Sequence, residues 1–196
     1  PQGTSLIGGF NPMGLIPGDR ISLREAMYSM LLGSDNVAAA TLADHAGRSI
    51  QSRSGGLSPE AAFVTEMNNL SRGLGMQQTR FANPHGMDGN RSQGISTARD
   101  MARLAIYAMR NPGFQFYVKQ TERTISSFRV NQKRSFKVRN THALIGGGNV
   151  NGIQSGNTAQ AGPCAATSSE KKPIVRKLPT GGTQLTGRRL ITIALG

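Results

Sequence analysis

Tryptophan is absent, aromatic residues make up 5% of the 196-residue chain, and there is one cysteine, Cys164. A single cysteine excludes an intrachain disulfide and every zinc site built from several cysteines. No run of 18 apolar residues occurs, so no stretch has the length and hydropathy of a membrane-spanning helix. His-Glu-x-x-His, a Walker loop and the Rossmann glycine fingerprint are all missing, as is the Gly-x-Ser-x-Gly nucleophile elbow. No cofactor and no metal is therefore expected. The chain opens on Pro1-Gln2-Gly3 rather than methionine. It reads as a processed or cut piece, so the lack of a visible leader says little about compartment.

Charge is unevenly spread. Residues 1–110 hold ten arginines, eight acids and no lysine, whereas residues 111–196 hold thirteen basic residues and only Glu122 and Glu170 as acids. The formal net charge of +13 therefore belongs mainly to the second part. It clusters at Lys133-Arg134, Lys137, Arg139, Lys171-Lys172, Arg176-Lys177 and Arg188-Arg189. Such a surface attracts polyanions, whether nucleic acid, acidic glycan or an anionic membrane face. Zinc-finger spacing, a basic region with heptads and paired sheet aromatics are absent, so nucleic acid is the least favoured partner among these.

Glycine, at 25 residues, and proline punctuate a pattern of helices first and strands last. Residues 1–20 read as an opening loop. Ser22 and Glu25 form a capping box ahead of a stripe of Leu23, Ala26, Met27, Met30 and Leu31, and the helix should end near Gly33. An alanine-rich helix runs from Asn36 to Ala46 and ends at Gly47, followed by a loop over 48–57. Ser58-Pro59-Glu60 opens a third helix with the stripe Phe63, Met67, Leu70 and Leu74. Residues 79–93 are rich in turn formers. Thr97 and Asp100 cap a fourth helix, which stops before Asn111-Pro112-Gly113. Phe116–Val130 and Ser135–Arg139 then read as an antiparallel excursion, and Ala161–Ser169 and Arg189–Leu195 as strands, with a long polar connection over 170–188. The expectation is one α+β domain over 1–196, mainly helical over 21–110 and mainly strand-forming over 111–196.

Of the three histidines, His45 reads as a structural residue near a helix end, and His85 as part of a turn-rich scaffold, Asn83-Pro84-His85-Gly86-Met87-Asp88-Gly89. Ser34-Asp35-Asn36, between two helices, is well suited to capping the second one. It also spells the Ser-Asp-Asn element that accompanies Ser-x-x-Lys and Lys-Thr-Gly in penicillin-recognising enzymes. Its surroundings extend the likeness. Gly18–Glu25, Phe63–Asn68 and Leu74-Gly75-Met76 match, and Thr79–Asp88 followed by Ser96–Ala102 is the most specific stretch. Asn140-Thr141, Val150–Thr158 and Ala161–Cys164 complete it.

In this order and spacing the chain resembles the serine-type D-alanyl-D-alanine carboxypeptidases, the low-molecular-weight penicillin-binding proteins, over roughly residues 10–168 and the last strand. The resemblance implies a β-lactamase/DD-peptidase-like α+β fold, a helical lobe with an antiparallel sheet, incomplete here at both ends. It implies acyl transfer and hydrolysis on peptidoglycan stem peptides ending in D-Ala-D-Ala, in the periplasm or outside the cell. Ser34 and Asn36 take the catalytic positions, as proton relay and substrate-amide donor. Gln154, Ser155, Gly156, Asn157 and Thr158 take the substrate-binding strand, with Ser155 on the carboxylate. An anionic cell-wall polymer is a further candidate partner for the basic part.

Two departures stand out. The Ser-x-x-Lys pair is absent from its expected place before Ser34. Ser168-x-x-Lys171 and Ser169-x-x-Lys172 match only by spelling, because a lysine base must be desolvated and held against its serine. Gln154-Ser155-Gly156 replaces Lys-Thr-Gly, which removes a positive charge. Whether this chain alone is an enzyme is left open. The alternative is an inactive homologue that binds cell-wall peptide or glycan.

Overall fold

The computed structural model describes residues 9–51, 55–89 and 93–196. Strand β1 (Arg20–Ile21) leads into helices α1 (Leu23–Gly33), α2 (Asn36–Ile50), α3 (Pro59–Gly73), α4 (Ala98–Ala108) and α5 (Pro112–Val118). Strands β2 (Glu122–Arg129), β3 (Gln132–Arg139), β4 (Val150–Thr158), β5 (Gly162–Lys177) and β6 (Thr183–Ala194) follow. They form two antiparallel sheets, β1-β2-β3 and β4-β5-β6. The α+β reading with helices first holds, with two small sheets in place of one.

Caps fix where the helices begin. Ser22, Asp35, Ser58 and Thr97 each accept a backbone N–H three residues on, which satisfies a donor the helix itself leaves free. Glu25 does more than answer Ser22. One carboxylate oxygen takes the Ser22 hydroxyl at 2.8 Å, and the other takes the Ser126 N–H and hydroxyl at 2.9 and 2.7 Å. The capping box thereby ties α1 to β2.

The buried face of α1 differs from the expected stripe. Leu23 is exposed, and Ala26, Tyr28, Ser29, Leu32 and Gly33 are the buried residues. The helix runs through the middle of the molecule. Tyr28 and Leu32 join Met13, Leu15, Val37, Ile125 and Val138 in one core, while Leu31 also packs on a second core of Ala105, Met109, Val118 and Ile153 beneath β4-β5-β6. Burial on two sides blurs a single stripe. Met13 and Leu15 come from the segment read as an opening loop, so part of that segment is core.

Helix α2 does not stop at Gly47 but runs to Ile50, so part of the loop expected over 48–57 is helix; residues 52–54 of that loop lie outside the described residues. Gly47 is there for contact, since a Cβ on it would sit 1.9 Å from the Pro59 carbonyl oxygen. The expected strand start at Phe116 is also corrected. Asn111 caps Gly113 and Phe114, Pro112 opens α5, and the strand begins at Glu122. The polar connection over 170–188 is likewise a paired β-ribbon, continuing β5 and β6 to a turn at 178–182.

Candidate active site

The C-terminus of α1 and the N-terminus of α2 meet the edge strand β4 across a groove of about 910 Å³. Ser34 ends α1 with φ at 53°, in the left-handed region. That conformation is uncommon for a residue with a side chain, and here it turns the chain between the two helices. Asp35 is buried and caps α2, accepting the Ala38 N–H at 3.0 Å and the Ser29 hydroxyl at 2.6 Å. Burial pushes its carboxyl above the ordinary value, against those two bonds.

Ser34 stands at the centre of a hydrogen-bonded strip. The Gln154 amide donates to Ser34 Oγ at 2.9 Å, Ser34 Oγ lies 2.7 Å from Thr141 Oγ1, and the Ser155 hydroxyl donates to the Thr141 carbonyl at 3.2 Å. Thr141 thus bridges two elements far apart in sequence. Asn36 faces the same groove. Its Oδ1 accepts the Phe10 N–H at 2.9 Å and its amide donates to the His85 carbonyl at 2.8 Å, which leaves its second N–H to offer a ligand. Gly156 and Asn157 lie exposed on β4, opposite Cys164 and Pro163. Thr158 also lines the groove, and its hydroxyl donates to Asp88 at 2.8 Å beside it, where Asp88 also accepts the Gln160 N–H at 3.1 Å.

Three contributors lie in the matched stretches but carry no assigned role there: Thr141, the imidazole of His85, and the Asp88 clasp. His85 lines the groove. Its Nδ1 accepts the Met87 N–H at 3.3 Å, and burial holds its pKa below the usual histidine range, with Glu60 opposing, so the ring is neutral at pH 7. Their stretches match by sequence, but no local signal says that these side chains reach the groove. They reach the site over separations of 107, 49 and 70 residues.

Charge is the other finding. Among the described residues no lysine or arginine lines this groove. Arg189, a conceivable replacement for the missing lysine, is engaged elsewhere, donating to Asn151, Ser168 and Gln115 at 2.9, 2.6 and 3.1 Å. Arg188 is exposed on the ribbon. Gln154 keeps a donor on Ser34 but no charge, and its own Oε1 is buried without a partner among the described residues. The described residues contain no cluster of metal-ligating side chains, and none of their helices is long and apolar enough to cross a membrane.

A family profile for D-alanyl-D-alanine carboxypeptidase matches residues 5–191. The chain is 32% identical over 161 residues to the D-alanyl-D-alanine endopeptidase of Pseudomonas aeruginosa, covering 80% of this chain and 47% of that protein. A serine-to-alanine mutant of Streptomyces K15 DD-transpeptidase superposes with a TM-score of 0.73 at 26% identity, covering 92% of this chain and 64% of that one. Penicillin-binding protein D2 of Listeria monocytogenes, in its cefotaxime-bound form, superposes with a TM-score of 0.64 at 28% identity, covering 89% and 58%. The chain spans about half the length of the curated relatives it matches. With the helical lobe, the two sheets and the groove between them, these likenesses place the chain in the D-alanyl-D-alanine carboxypeptidase family.

Proposed function

We propose that the groove holds the D-Ala-D-Ala end of a peptidoglycan stem peptide, in the cell envelope. The observation that carries this reading is the strip Gln154–Ser34–Thr141–Ser155 laid along β4, whose outer edge is unpaired in its sheet. An extended peptide can add to such an edge through its backbone. The Ser155 hydroxyl then meets the terminal carboxylate, the free N–H of Asn36 meets the peptide amide, and Ser34 relays a proton.

The family reaction is acyl transfer. A serine attacks the carbonyl of the penultimate D-Ala, the terminal D-Ala leaves with a proton, and water hydrolyses the ester. Backbone N–H groups hold the oxyanion. This needs a serine activated by a lysine. Lys171 and Lys172 sit on an exposed β-ribbon, and Ser168 is buried under Arg189 and Asn151. Neither pair can serve. These 196 residues supply the substrate-holding side of the site, and turnover requires a serine–lysine pair brought to the groove from outside them. Gln154 favours the second reading, a homologue that binds without turnover.

The test incubates the 196-residue chain with a labelled penicillin and, separately, with a D-Ala-D-Ala tripeptide. No covalent adduct should be found by mass spectrometry, while the tripeptide should bind saturably and lose affinity in Ser155→Val. An adduct of one ligand mass on any serine overturns the reading that this chain binds without turnover. Absence of peptide binding overturns the groove assignment.

A further inference from the structure

The ribbon formed by the outer halves of β5 and β6 has no part in the groove. Every residue from 171 to 188 is exposed. At about 3.3 Å per residue, the stretch from Lys171 to the turn projects roughly 20 Å from the body. Register shows what it carries. Val175 pairs with Leu185, so both side chains share a face, and they are 62% and 66% exposed. Leu178 sits in the turn, and Ile174 is 48% exposed on the opposite face.

Five cations flank these residues: Lys171, Lys172, Arg176, Lys177 and Arg188. Among the described residues none of the five is in an ion pair. The only acid, Glu170, lies at the base of the ribbon with Asn151 at 2.7 Å and Arg189 at 3.5 Å. The outer ribbon thus carries exposed apolar side chains with Arg176 and Lys177 beside them, while Lys171, Lys172 and Arg188 lie toward its base.

We infer that this ribbon is a docking element for an anionic phospholipid surface, with Val175, Leu178 and Leu185 entering the headgroup region and the cations on the phosphates. Charge complementarity selects an anionic partner. The exposed Val175–Leu185 pair selects lipid over an acidic polymer, because a hydrated polymer gives apolar side chains nothing to bury against, whereas an interface gains from apolar area and cations together. The geometry suits this. The tip is at the end of β5 opposite Gly162, and the β4–β5 turn at the other end borders the groove. Docking by the tip leaves the groove open.

The test is flotation of the full chain with vesicles of phosphatidylcholine alone or with about a third phosphatidylglycerol, at low and high salt. Binding should require the anionic lipid and fall with salt. Arg176→Gln with Lys177→Gln, the two cations beside Val175 and the turn, should weaken partitioning about tenfold or more, since each cation near such a surface contributes roughly a fivefold factor. Val175→Ser with Leu185→Ser should weaken it comparably, while retention on a soluble polyanion stays unchanged. Because the chain has no tryptophan, Leu185→Trp gives a unique probe, whose emission should shift to the blue and be quenched by brominated acyl chains. An unshifted Leu185→Trp emission on anionic vesicles, or binding insensitive to the serine pair, overturns the inference in favour of a polymer-binding surface or of another basic region.

Discussion

Gln154 shows how one residue sets what a groove can hold. It reproduces a donor to Ser34 at 2.9 Å but brings no charge, and among the described residues no cation lines the cleft. A peptide carboxylate there meets hydroxyls and N–H groups alone. A charge-assisted bond in a protected site contributes about 1.5–3 kcal/mol against roughly 1 for a neutral one. Gln154→Lys should therefore tighten binding of a D-Ala-D-Ala peptide with a free carboxylate by about tenfold, and leave the C-terminal carboxamide peptide unchanged. Titration calorimetry of both peptides at two salt concentrations checks this. An equal gain for both would mean that the lysine acts by packing, and no gain for either would mean that the carboxylate lies elsewhere. The motif residues at this scale were legible because Ser34-Asp35-Asn36 and Gln154-Ser155-Gly156 are contiguous words. The roles of Thr141, His85 and Asp88 were not, although their stretches match, since what brings them to the site is a tertiary approach. Asp88 clasps Thr158 and the Gln160 N–H. Asp88→Ala should loosen the β4–β5 turn, seen as faster amide exchange at Gln160 and Ala161, with Tm changed little because the clasp is exposed. Unchanged exchange at those two amides would deny the clasp.

Elements were legible where a cap opens a helix of several turns, as in α3 and α4, and illegible where that signal or the length is missing; the buried face was less so, since the stripe expected on α3 is only half-buried, with Leu70 exposed, and Ala62 and Ser71 are its buried residues. The ribbon over 170–188 lacks alternation because both its faces meet water, so pairing and turn, not burial, set its register. Helix α5 carried a sound signal in Asn111-Pro112, a cap followed by proline at the first helical position, but its seven residues are too few to display a period. Gly47 misled in the opposite way. A glycine after an alanine-rich run reads as a stop, yet here it is the point where α2 touches the start of α3. Gly47→Ala should gain about 1 kcal/mol of helix propensity and lose more, since a Cβ 1.9 Å from the Pro59 carbonyl oxygen forces the helices apart at about 1–3 kcal/mol. Gly73→Ala, where an added Cβ meets nothing within 4 Å, is the matched control. A lower Tm for the first and an equal or higher Tm for the second is the expected pair of results. Equal Tm for both would show that α2 and α3 separate at no cost.

At the scale of the whole molecule, the opening segment is fastened to sheet β1-β2-β3 by a buried carboxylate. Asp19 accepts Arg129 through both oxygens at 2.7 Å and the Ile16 N–H at 3.1 Å, and Arg134 lies 3.7 Å away. The same Arg129 guanidinium reaches the Gly14 carbonyl at 2.8 Å, so one ion pair holds in place the turn that carries the core residues Met13 and Leu15. The Arg129 hydrogen bonds lower the Asp19 pKa from 3.8 to about 2, against the opposing effect of burial. A carboxyl whose folded pKa lies below its unfolded value stabilises the fold fully above the unfolded value and loses that contribution as pH falls through the folded one. Stability should thus decline between about pH 4 and pH 2. The lowered values of Glu25 and Asp100 act in the same direction, and the raised value of Asp35 opposes them. Asp19→Asn keeps the shape and removes the titration. At pH 6 it should cost about 1.5–3 kcal/mol, the range for a charged hydrogen-bonding group, and the gap from wild type should close as pH approaches 2. Urea midpoints of both proteins across that range measure it. A gap that stays constant with pH would mean that Asp19 acts through shape alone, and that the acid sensitivity of the molecule resides in its other carboxylates.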